Sequence, residues 1–123
     1  MQVVLAVAAG GALGAVSRYA VSTGVANVID LNGSGTFVAN LIGAFLLGVV
    51  IGLTEERWDL SEPVRAGITV GVLGGFTTFS TYMYDVVSHA EDDRWITSAG
   101  FLALTVAFGL VAMVAGLAAG RSA

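Results

Sequence analysis

The nine residues GGFTTFSTY at positions 74–82 lie inside a run, 66–84, that carries no charged side chain. Paired glycines followed by four hydroxyl residues and interleaved aromatic rings are costly at membrane depth. Lipid offers no partner to loosened backbone or to bare polar groups. A stretch of this kind is expected to line a path for something polar.

Everything around it is apolar. The chain has 123 residues, 56% hydrophobic and 11% charged, with a mean hydropathy of +0.86, well outside the range of soluble domains. A membrane-crossing helix takes about 20 apolar residues. The reading is therefore an all-α membrane protein, one domain of four transmembrane helices at 3–25, 36–53, 64–87 and 95–118, with the third broken near its middle. The first apolar run lacks a basic start and continues through Arg18 and Tyr19, so it reads as a retained span rather than a signal peptide.

Composition excludes several chemistries. With no cysteine there is no thiol catalysis, disulfide or cysteine metal site, and the single histidine, His89, falls in a polar connector placed at 88–94. Net charge is −4, lysine is absent and the five arginines form no patch, so no nucleic-acid partner is expected. The acidic loop clusters at 55–62 and 91–93 read as solvated loops. No nucleophile, base or metal cluster supports an enzyme.

Three of the spans have small residues suited to close approach in lipid: Gly10 and Gly14 in the first, Ala44, Gly48 and Gly52 in the second, Gly109 and Gly116 in the fourth. Arg18 follows Gly14 by one helical turn, where it either snorkels to the interface or acts electrostatically near a pore mouth. Asn40 is the only strongly polar side chain of the second span, and Pro63 suits the first turn of the third helix. Four spans place Arg57, Arg65 and Arg121 on one side against Arg18 and Arg94 on the other. That bias hardly selects an orientation and fits two copies inserted in opposite senses.

Gly71, Gly74 and Gly75 weaken the third helix where the hydroxyl run begins. With helix from Phe76 onward, Thr77, Ser80, Thr81 and Tyr84 share a face and Phe79 and Tyr82 lie on an adjacent one. That face either knits helices together or serves an ion. Carbonyls freed at a break suit a small hard cation such as Na⁺, whereas hydroxyls, an Asn amide and aromatic ring edges suit a small anion. A cation-coupled exporter lacks the membrane acid it needs, the nearest carboxylate being Asp85 at the end of the polar face.

Three segments, GGALGAVSRY at 10–19, GTFVANLIGAFLLG at 35–48 and GGFTTFST at 74–81, together resemble the CrcB/Fluc fluoride-channel family, in the family's order. The resemblance implies a passive fluoride-selective channel in the cell membrane that exports cytoplasmic fluoride, built as an antiparallel dual-topology dimer. A structural Na⁺ would be held by the backbone carbonyls of Gly74 and Thr77 from each subunit. Asn40, Phe79, Ser80 and Thr81 would line the anion path and Arg18 matches the family's first-helix arginine. Tyr82 stands where the family usually has a second phenylalanine, and Thr105 is the best candidate for a polar track on the fourth helix. A homodimer, one half of a heterodimeric channel, and a non-conducting assembly subunit all remain open from the sequence.

Overall fold

A computed structural model describes residues 1–123, the side chain of Glu56 excepted. It is all helical, with no strand among the described residues. Helix α1 spans Gln2–Ala26, α2 Ser34–Glu56 and α6 Trp95–Ser122; these three are long and apolar enough to cross a membrane. Between α2 and α6 the chain runs through α3 (Glu62–Ala66), a π-helical segment (Gly67–Leu73), a final turn α4 (Gly74–Phe76) and α5 (Phe79–Glu91). Pro63 sits in the first turn of α3, where its missing N–H costs nothing.

Two close-packed seams hold the helices. Along α1, any Cβ at Gly10 would run into the Gly67 carbonyl and one at Gly14 into the Val72 carbonyl, so the backbones of α1 and the π segment touch directly. Along α2 and α6, Gly48 meets the backbone of Met113 and Leu117, while Gly116 meets that of Phe45 and Val49. Small residues create these seams because apolar bulk gains nothing over lipid, whereas close van der Waals contact does. The large apolar side chains instead face outward, Leu110, Val111 and Val114 on α6 and Val4, Leu5 and Val16 on α1 among them.

Four expectations from the sequence need correction. Helix does not run from Phe76, because Thr77 (φ −90°, ψ 155°) and Thr78 (φ −148°, ψ 125°) are extended and the helix restarts at Phe79. Nor do the glycines make the break. Gly74 is helical, and Gly75 packs on the Gly11 backbone, so the smallness of Gly75 serves contact and not disorder. His89 is not in a connector: α5 continues to Glu91, and His89 is its most buried side chain at 1% exposure. Gly109, read as a packing residue, has open space where a Cβ would stand.

The seams make a quantitative expectation. Gly14→Leu should lower stability by about 1–3 kcal/mol, the cost of forcing a side chain into a filled contact. Gly100→Ala, where a Cβ meets nothing, should be neutral or mildly stabilising. Thermal unfolding in detergent separates the two.

Candidate functional site

The break at Thr77 and Thr78 is built by one side chain from another helix. The Asn40 carboxamide donates from Nδ2 to the Thr78 carbonyl at 2.9 Å, and its Oδ1 accepts from the Thr78 N–H at 2.8 Å. Asn40 thus satisfies both backbone groups of the residue at the centre of the interruption. In an unbroken helix the Thr78 N–H would bond the Gly74 carbonyl; here it is diverted. Below the break, Thr77 remains tied to Leu73 through its N–H (3.1 Å) and its hydroxyl (3.0 Å). Above it, the Thr78 hydroxyl caps α5, accepting from the Thr81 N–H at 3.4 Å.

That diversion frees the Gly74 carbonyl, and the extended backbone at 77 and 78 frees those of residues 75–77. Arg18 donates from Nε to the Gly75 carbonyl at 3.2 Å. The carbonyls of Gly74 and Thr77 meet no donor among the described residues. Gly74 is exposed, and a Cβ added there would meet only the Thr69 carbonyl, in ordinary contact at 3.7 Å. Its carbonyl is thus both free and approachable.

The two aromatic residues part company. Phe79 is 73% exposed while Tyr82 is 4% exposed, yet their rings stay in edge-to-face contact, centroids 6.1 Å apart at 70°. The Tyr82 hydroxyl turns inward and donates to the Leu102 carbonyl of α6 at 2.6 Å. It is therefore spent on the protein. Ser80, Thr81 and Tyr84 lie on the exposed outer face, apart from the cleft of about 330 Å³ whose lining includes Asn40, Gly43, Thr77, Phe79, Tyr82 and Gly109. Thr105, three residues beyond Leu102, is buried with no partner for its hydroxyl among the described residues.

The structure therefore brings Asn40, Thr77, Phe79 and Tyr82 to one cleft, places Arg18 on the carbonyl side of the break, and leaves Ser80 and Thr81 on the adjoining outward face. Sequence reasoning missed two participants. Thr78 was passed over in favour of its neighbours although it carries the interruption, and nothing in its residue type distinguishes it from Thr77. The buried pair Asp85 and His89, with the exposed Asn32 that bonds His89 through its carbonyl, was also missed. Asp85 and His89 are spaced i, i+4 on α5, a signal that a helix ending at residue 87 concealed.

Apolar crossing helices, small-residue seams and an interrupted helix with polar groups at its break define a multi-pass membrane protein. A family model described as CrcB-like protein, Camphor Resistance (CrcB), matches residues 5–117. The chain is 43% identical over 125 residues to a protein of Allorhizobium ampelinum, covering 98% of each chain. It is 38% identical over 122 residues to one of Chloroflexus aurantiacus, covering 98% of this chain and 97% of that one. It is 39% identical over 124 residues to one of Rhodospirillum centenum, covering 100% and 98%. All three are named fluoride-specific ion channel FluC. The chain belongs to the CrcB family.

Asn40→Ala should destabilise the fold by about 1–3 kcal/mol, because it orphans two backbone groups that lipid cannot satisfy. Asn40→Leu, similar in volume, should do no better. Unfolding in detergent, followed by the loss of helical circular dichroism, measures both.

Proposed function

We propose that this chain is a fluoride-selective passive channel that lets cytoplasmic fluoride leave the cell. The observation that carries the reading is the interruption at Thr77 and Thr78, where polar groups gather beside a cleft in a chain matched end to end by relatives named for fluoride conduction. Fluoride is small, strongly hydrated and a strong hydrogen-bond acceptor, so a path for it must replace water with compact donors. This chain supplies them. Asn40 keeps one amide hydrogen after bonding Thr78. Ser80 and Thr81 offer hydroxyls, Thr105 an unspent one, and Phe79 and Tyr82 their positive ring edges. A larger, more weakly hydrated halide would gain less from the same donors.

In this reading the chain is one domain of four crossings, the third being the broken run from α3 to α5, and it works as an antiparallel dual-topology dimer. The outward face supports that assembly: Gly74, Phe79, Ser80, Thr81 and Tyr84 are exposed at the depth of apolar helices, and polar groups there need a second protein surface rather than lipid. A second copy brings the same face, and the two sets of Gly74 and Thr77 carbonyls then form a donor set of neutral oxygens. Such oxygens, with no carboxylate among them, fit a monovalent hard cation, and we assign them to a structural Na⁺. Bound there, the ion supplies a fixed positive charge beside the anion path. The chain's own contribution is to keep those carbonyls free, through the diversion of the Thr78 N–H to Asn40 and of the Thr81 N–H to the Thr78 hydroxyl.

Reconstitution into liposomes with a fluoride-sensitive electrode tests the reading. Fluoride efflux with chloride retained is expected; retention of both would sink it. Tyr82→Phe should conduct at a rate within about threefold of the parent, since the hydroxyl it removes is bonded to Leu102 and its loss costs about 0.5–1.5 kcal/mol of stability. A collapse of fluoride flux in that variant would instead place the phenol on the anion.

A further inference from the structure

Above the break, on the loop side of the protein, the chain's only histidine is its most deeply buried large side chain. His89 Nε2 lies 2.8 Å from the carbonyl oxygen of Asn32, in the loop between α1 and α2. A carbonyl can only accept, so Nε2 carries the hydrogen and donates it. Asn32 returns to the same helix through its side chain, Nδ2 donating to the Ser88 hydroxyl at 3.3 Å. The loop is thereby fastened to α5 at two adjacent residues.

That fastening bears on Phe101. The next loop residue, Gly33, adopts φ +87°, and its Cα stands so close to the Phe101 ring that an added Cβ would approach it to 2.7 Å. His89 meets the same ring edge-on, centroids 5.8 Å apart. Phe101 in turn contacts Tyr82 at 5.7 Å, and Tyr82 contacts Phe79 at 6.1 Å. A continuous set of packed rings thus runs from His89 to the cleft. Packed rings of this kind transmit displacement because the interior between them is filled.

We infer that His89 is a positioning residue for the aromatic pair Phe79 and Tyr82: by holding the Asn32 carbonyl it keeps both its own ring and the Gly33 turn against Phe101, which fixes the ring of Tyr82. The inference rests on the channel reading for the role of that pair. It assigns to a remote hydrogen bond the setting of the ring edges that the ion passes. An apolar side chain would fill the same space without the bond, so the role belongs to the Nε2 donor and not to volume alone. Glutamine, whose amide nitrogen reaches a position close to that of Nε2, can replace it as a donor.

The test uses the full-length protein. Nitrogen-15 labelling of the single histidine gives one imidazole spectrum, in which Nε2 is expected to carry a hydrogen; an Nε2 without one overturns the inference. In liposomes, His89→Leu should slow fluoride efflux about fivefold, an effect in the range of coupling carried through packed networks. His89→Gln should restore it to within about twofold of the parent. Equal efflux from the leucine variant and the parent overturns the inference, even if the leucine variant melts at a lower temperature. So does a glutamine variant no better than leucine. A parent chain that passes no fluoride fails the channel reading itself and takes the inference with it, whereas a conducting parent with an indifferent leucine variant fails the inference alone.

Discussion

A helix can be opened inside a membrane only where something else takes over its hydrogen bonds. In this chain that something is the carboxamide of Asn40, which gives Thr78 both the donor and the acceptor that a continuous helix would have given it. The remaining geometry follows. With residue 78 bonded sideways, the carbonyls before it are left over, the helix after it needs a new cap, and Thr78 supplies that cap with its own hydroxyl. One side chain on α2 therefore holds the residue at which the old helix ends and from which the new one is capped.

The seams exist to deliver Asn40 and Thr78 to one another. Glycines along α1 bring the π segment against it, and glycines shared between α2 and α6 bring those helices together, each by removing the side chain that would hold the backbones apart. Lipid gives no hydrophobic push between helices, so contact area at short range has to do the work. Arg18 joins the two systems, since it leaves the α1 seam one turn beyond Gly14 and bonds the carbonyl of Gly75. The cost of an ionised side chain among apolar helices is offset where a helix end exposes acceptors.

Much of this is legible in the residues. Hydropathy and length yield the crossing helices, and the small-residue spacings at Gly10 and Gly14 and at Gly48 and Gly52 point to the faces that pack. The polar run at 74–82 contains the interruption. What the residues do not reveal is which of several adjacent threonines leaves the helix, because that choice is made by Asn40, 38 positions away. Nor does the Tyr82 phenol disclose its direction, since its acceptor is a main-chain carbonyl on α6, an atom every residue type possesses. Hidden for a similar reason is the burial of His89, whose partner is also main chain. Pattern reading finds side chains that match side chains, and it is blind where one half of the pair is backbone.

The π segment has a consequence of its own. Gly67, Gly71 and Gly75, four residues apart each time, all lie against α1. In an α-helix a step of four overshoots a full turn, so a row at that spacing winds away from any straight neighbour. In the wider π turns the same step falls short. All but the end of the row lies in that wider winding, at residues 67–73, and its three glycines all meet α1. The segment is a rotational spacer: it sets the compass bearing at which everything downstream emerges. Removing one residue from it would swing Thr78 by one residue's share of a turn and turn the interruption away from Asn40.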